Sequence, residues 1–261
     1  MTELAEQAIL DFYTYPPIGD DDWRYIYETA QVRTLEMQML TRATLQDMAN
    51  ASGFQQAADL LNGTEYALPA AGRNFAEVQD VLLQRRTSVR TLFSDLMLDK
   101  PLVELLKTRD DFANLRLAVR RTLTKTPIGA DYSSDGNVPA EQIEQIFAEQ
   151  EDFGKPVFPD YVRDAVEQAV LAYYQNKDIR RIDEAIDQCQ AEYNLKQARR
   201  LKSIFLTSLF KIQIDLTNIR TMLRLKFTES ERRNVFLKGG FIELERFMHG
   251  IELGYEALGS L

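Results

Sequence analysis

Asp111-Phe-Ala-Asn114-Leu-Arg116-Leu-Ala-Val119-Arg120 returns at an offset of 104 residues as Asp215-Leu-Thr-Asn218-Ile-Arg220-Thr-Met-Leu223-Arg224. Six further pairs keep that offset: Phe75 with Ile179, Val78 with Ile182, Leu82 with Ile186, Gly136 with Gly240, Val138 with Ile242 and Ile143 with Phe247. Self-similarity at a fixed period marks a chain built from repeated supersecondary units, each burying an apolar face against its neighbours. Within each copy the apolar residues recur at spacings of three and four, the period of an α-helix. At about 100° per residue, Phe112, Leu115 and Val119 form one stripe, with Asp111 and Asn114 on one edge and Arg116 and Arg120 on the other. The second copy repeats this with Leu216, Ile219 and Leu223 between Asp215 and Asn218 on one side and Arg220 and Arg224 on the other. Such helices can pack side by side, the arginine edge of one meeting the Asp/Asn edge of the next in a pseudo-symmetric bundle. A second reading stays open, in which the polar residues satisfy caps and neighbouring backbone groups inside each bundle, because partly buried charge needs partners.

A glycine follows the first arginine by 20 residues in both copies, Gly136 after Arg116 and Gly240 after Arg220. A third, degenerate copy opens the chain: Glu28-x-x-Gln31-Val32-Arg33, with Gly53 again 20 residues after its arginine and Met37 in place of the second one. These glycines are expected to permit a left-handed or tightly packed link between helices. The repeats divide the chain into 1–72, 73–158 and 159–261.

Apolar periodicity predicts an all-α protein, with helices over Trp23–Asn50, Phe54–Leu61, Phe75–Leu98, Leu102–Lys125, Ala140–Glu149, Asp160–Asn176, Ile179–Ala191, Leu195–Lys226 and Phe241–Ala257. No run of strict alternation bounded by turn residues appears. The triplet Asp20, Asp21, Asp22 fits a helix N-terminus, where the macrodipole favours negative charge; the Asp-Asp-x-x-Asp spacing of a diphosphate site is missing.

Composition narrows the function. The 261 residues, 45% hydrophobic and 27% charged, are those of a folded chain, and a net charge of −9 disfavours a general nucleic-acid binder. One cysteine, Cys189, and one histidine, His249, exclude an internal disulfide and a Cys/His zinc cluster. Gly-rich phosphate loops, Gly-x-Ser-x-Gly and a supported Cys/His dyad are all missing, so no catalytic, cofactor-binding or metal-ligating residue is assigned and no cofactor is expected. The longest uncharged apolar run, Ser203 to Phe210, is too short to span a bilayer, and the N-terminus has no basic region of a signal peptide. One asymmetry remains: Leu195 to Lys226 carries eight cations against Asp215 alone. Such a basic helix could serve an anionic partner, or be neutralised by the seven acids of Met1 to Gln31.

Four motifs in order, Tyr27-x-x-Ala30-Gln-Val-Arg33-Thr-Leu-Glu36, Leu60-Leu61-x-x-Thr64-x-Tyr66, Asp111-x-x-Asn114-Leu-Arg116-x-x-x-Arg120 and Ile214-Asp215-x-x-Asn218-Ile-Arg220-x-x-Leu223-Arg224, resemble the C-subunit family of V-type ATPases and ATP synthases, whose eukaryotic members are called the d subunit. The resemblance runs from Tyr27 to Phe247. It implies a funnel of three helical bundles related by pseudo-threefold symmetry, peripheral on the cytoplasmic face of the membrane. It further implies a non-catalytic socket between the central-stalk subunits and the proteolipid ring, serving ATP-linked transport of H⁺ or Na⁺. The structural or interface candidates are then Arg33, Gly53, Asp111, Asn114, Arg116, Arg120, Gly136, Asp215, Asn218, Arg220, Arg224 and Gly240. Members of that family are typically longer, so the chain reads as a short variant or a truncated one; truncation would leave the third bundle incomplete, with an exposed apolar face favouring association.

Overall fold

A computed structural model of the chain describes residues 23–68, 74–125, 132–147, 158–228 and 235–252. The protein is all-α, with no strand among the described residues. The α-helices are α1 (Ile26–Glu36), α2 (Arg42–Ala49), α3 (Phe54–Asp59), α4 (Phe75–Leu96), α5 (Lys100–Thr124), α6 (Asp160–Asn176), α7 (Ile179–Arg200), α8 (Ile204–Phe227) and α9 (Leu244–Glu252), with 3-10 helices at Trp23–Tyr25 and Ala140–Phe147. The acidic triplet Asp20–Asp22 lies outside the described residues.

The sequence period is visible in the element boundaries. Helices α4 and α7 both have 22 residues and start 104 residues apart, at Phe75 and Ile179. Helices α5 and α8 start at Lys100 and Ile204, the same offset.

Local chemistry breaks two predicted helices and shortens a third. Trp23–Asn50 is interrupted because Thr41 takes an extended conformation and its side chain accepts a hydrogen bond from Thr44 N, starting a new helix at Arg42. The basic segment Leu195–Lys226 is not one helix. Lys202 adopts a left-handed conformation (φ 53°), and the Ser203 hydroxyl accepts from Leu206 N at 3.2 Å, capping α8. Lys196, Arg199 and Arg200 therefore belong to α7, which continues through Ala191 without a break, while Lys211, Arg220, Arg224 and Lys226 belong to α8. The C-terminal helix starts at Leu244 rather than Phe241, because Phe241 N and Ile242 N are committed to a side chain of α8.

The chain forms two compact units. One spans Pro16–Val103 and contains α1 to α4. In it Tyr25 OH donates to Asp99 Oδ2 (2.9 Å) and accepts from Asp99 N (3.0 Å), Arg85 pairs with Glu65, and Phe54 lies against Phe75 at 5.0 Å between ring centroids. The helices α1, α2 and α4 bury none of their residues completely.

The other unit holds the described residues from Glu104 on. Its main core joins Phe112, Leu115 and Val119 of α5 to Val138 and Ile143, to Val162, Ala165 and Ala169 of α6, and to Ile182 and Ile186 of α7. Helices α6 and α7 form a hairpin, linked by Lys177, which caps α6 in a left-handed conformation, and Asp178, whose side chain caps α7. A smaller core gathers Met222 and Leu225 of α8, Phe236, and Phe247 of α9. The repeat partners Ile143 and Phe247 are both fully buried, one in each core.

Candidate functional site

The repeated polar residues build the same device twice. In the first copy Asp111 is fully buried. Its Oδ1 accepts from Val138 N at 2.9 Å, and its Oδ2 accepts from Asn137 Nδ2 at 3.0 Å and from Tyr161 OH at 2.6 Å. One turn on, Asn114 forms a reciprocal pair with one backbone unit: Ser133 N donates to Oδ1 and Nδ2 donates to Ser133 O, each at 2.8 Å. In the second copy Asp215 accepts from Phe241 N at 2.8 Å and Ile242 N at 3.2 Å. Asn218 brackets Leu237 in the same way, accepting at 2.8 Å and donating at 2.9 Å. Each helix thus holds the loop that follows it by main-chain groups, which meets the requirement that buried polar atoms find partners.

The glycines are explained by these contacts. A Cβ on Gly136 would stand 2.2 Å from Asp111 Oδ1, and one on Gly240 would stand 1.9 Å from Asp215 Oδ1. Neither residue has a positive φ, so close approach of a carboxylate, rather than left-handed backbone, excludes a side chain there. The left-handed glycine of the second loop is its neighbour, Gly239 (φ 101°).

The degenerate first copy lacks the device. Gly53 is extended (φ −179°) and a Cβ there would meet nothing within 4 Å. Arg33 Nη1 donates to Glu36 Oε2 at 2.8 Å within its own helix, Gln31 Nε2 donates to Tyr27 OH, and Glu28 Oε2 is buried with no hydrogen-bond partner among the described residues.

The arginines divide sharply between the copies. Arg116 pairs with Asp187 and lies 3.5 Å from Asp183, while Arg120 pairs with Asp183, both acids being on α7. The basic edge of α5 therefore meets an Asp-x-x-x-Asp pair, and not the Asp/Asn edge of α8. Arg220 and Arg224 are exposed and make no ion pair among the described residues.

Burial sets the proton affinities of this region. It raises the Asp187 carboxyl, against the opposing pull of Arg116, and raises Asp215, against the two backbone N–H groups it accepts from. Tyr161 is pushed upward by burial and by its bond to Asp111, so its hydroxyl stays a donor. Burial lifts the Cys189 thiol to about 11. His249 is exposed on α9. No group of His, Cys, Asp and Glu placed to hold a metal occurs among the described residues, and no helix there is long and apolar enough to cross a membrane.

The family model for the ATP synthase (C/AC39) subunit matches residues 29–258, nearly all of the region that carries the repeats. The chain belongs to that family. Among C/AC39 relatives, the C subunit of the V-type ATP synthase of Thermus thermophilus is 25% identical over 247 residues in each of two strains. The alignment covers 92% of this chain and 75% of the relative. The two loop-holding copies lie within the stretch that defines C/AC39 membership, and so does the degenerate one from Gln31 on. Sequence reasoning missed Tyr161, Asp183 and Asp187. All three sit in helices outside the repeated decapeptide, and only the i, i+4 spacing of the two acids signalled a match to Arg116 and Arg120.

Proposed function

We propose that the protein is a non-catalytic subunit of a rotary V-type ATPase or ATP synthase, acting as a socket between the central stalk and the membrane proteolipid ring. In this role it transmits torque for ATP-linked transport of H⁺ or Na⁺ and sits peripherally on the cytoplasmic face of the membrane. The single observation supporting the reading is the family match over residues 29–258. The repeat geometry fits the mechanical demand. A socket under torque needs helices whose following loops cannot slide, and Asp111 with Asn114, and Asp215 with Asn218, tie each loop to its helix through main-chain hydrogen bonds. The three-part division at 1–72, 73–158 and 159–261, arranged as a pseudo-threefold funnel, is part of the same proposal. Within it Asp111, Asn114, Gly136, Asp215, Asn218 and Gly240 are structural residues, Arg116 and Arg120 join helices of one unit, and Arg220 and Arg224 face a partner.

Reconstitution tests the role. Complexes assembled from the native membrane without this subunit should keep ATP hydrolysis in their catalytic part and lose ATP-driven ion transport, and adding the chain back should restore transport. Undiminished coupled transport in its absence, or failure to co-purify with stalk and ring, would overturn the proposal.

A further inference from the structure

Where α7 turns into α8 the chain holds four cations in seven residues, Lys196, Arg199, Arg200 and Lys202. All four are exposed, and none makes an ion pair among the described residues. Glu192, one turn before Lys196, accepts from Gln188 Nε2 at 2.5 Å. Lys238 adds a fifth exposed cation beside α7, where its N donates to Gln188 Oε1 at 3.1 Å. The residues 104 positions before the four cations are Leu92, Asp95, Leu96 and Leu98, so the repeated architecture does not require charge at this corner. At the head of α8, Ile204 and Phe205 are 47% and 51% exposed, which gives the cationic corner an apolar edge.

We propose that this corner is occupied by the chain's own N-terminal stretch, Met1–Tyr15, which lies outside the described residues. The stretch carries Glu3, Glu6 and Asp11 with no lysine or arginine, and Pro16-Pro17 closes it. Strong helix formers dominate its first half, and on a helix Glu3 and Glu6 share a face. Lys196 and Arg199 have the same three-residue spacing on α7, so the two edges match in charge-assisted hydrogen bonds. Leu4, Ile9, Leu10 and Phe12 supply apolar contact for Ile204 and Phe205, which a phosphate polymer does not offer. Covalent attachment gives the stretch an effective concentration on the order of mM, so an anionic partner must displace it to reach the corner. The family match begins only at residue 29 and assigns this stretch nothing, and the contact does not depend on the rotary role.

The test is trace acetylation of the full chain, with the labelling rates of Lys196 and Lys202 read by mass spectrometry against exposed Lys125. Both corner lysines should react about threefold or more slowly in the parent than in the Glu3→Gln, Glu6→Gln, Asp11→Asn variant, as a corner covered two-thirds of the time requires. Lys125 should be unchanged. In the parent itself the protection should vanish at about 1 M salt, where the screening length falls to about 3 Å, so the measurement does not hang on the variant alone. Equal rates in parent and variant at low salt would overturn the proposal and leave the corner to a different anionic occupant. Neutralising Asp20, Asp21 and Asp22 to Asn should preserve the protection; its loss there as well would point to bulk charge instead of a seated segment. Protection that fades on dilution of the chain would place the stretch of a second copy on the corner and equally overturn the contact in cis.

Discussion

A methyl group at Gly136 or Gly240 must displace a buried carboxylate that is already holding backbone N–H groups. Overpacking of this kind costs about 1 to 3 kcal/mol, and the hydrogen bonds it disturbs add to the loss. Gly136→Ala and Gly240→Ala should therefore each lower the melting temperature by several degrees, whereas Gly53→Ala, with open space around the added atom, should leave it unchanged. Equal behaviour of all three in thermal unfolding would disprove the contact-based account. At Asn218, replacement by Ala strands Leu237 N and Leu237 O together, and about 1 to 3 kcal/mol should be lost in denaturant titrations. Cys189 gives a chemical readout of the same interior. With its thiol raised to about 11, alkylation at pH 8 should be slow, should climb with pH toward that value, and should accelerate on the order of a hundredfold on unfolding, where the pKa returns to ~8.5. Rapid labelling of the folded chain at pH 8 would contradict the burial of that side chain.

At the scale of helices, the two pairs of arginines predict opposite outcomes. Arg116→Ala leaves Asp187 without its cation in a partly buried place, and Arg120→Ala leaves Asp183 with only the longer contact to Arg116. Each arginine side chain keeps 31% of its exposure, so the loss should lie between the value of a surface pair and a buried one, roughly 1 to 2 kcal/mol. Arg220→Ala and Arg224→Ala should change the melting of the isolated chain little; destabilisation matching that of the α5 variants would show that they too are paired internally. How much of this was legible varies by element. Spacing at three and four residues specified α4 to α8 as helices, because core-facing positions must recur with the helical period. The gap at Leu201–Ser203 was not legible. It contains neither glycine nor proline, and depends on Lys202 accepting a left-handed conformation and on the Ser203 side chain reaching Leu206 N. Equal spacing from Arg116 to Gly136 and from Arg220 to Gly240 singled out these two glycines, as it did Gly53, where an added Cβ meets nothing. It could not say why Gly136 and Gly240 are special, since the partner of each is an aspartate 25 residues earlier whose carboxylate is aimed at backbone atoms. The acids of α7 were hidden for a different reason: a pairing between helices far apart in sequence leaves no period to read.

Over the whole chain, protection against exchange should follow burial. Amides of α5, α6 and α7, which share the largest core, should exchange slowest, and those of α1 and α2, which bury no residue completely, should exchange fastest. Uniform protection in hydrogen-exchange mass spectrometry would refute that ordering. The two held loops carry a consequence for how such a protein can diversify. Ser133-Ser-Asp-Gly136-Asn-Val138 and Leu237-Lys-Gly-Gly240-Phe-Ile242 share only one residue, yet they are gripped at equivalent main-chain atoms. Where the grip reads only N–H and C=O, at Ser133, Val138, Leu237, Phe241 and Ile242, it is indifferent to the side chains presented; in the first loop the Asn137 amide adds one side-chain contact. Each loop is in effect a cassette with one glycine common to both, Gly136 or Gly240, and its gripped main-chain positions can carry different side chains for a different neighbour while the path stays fixed.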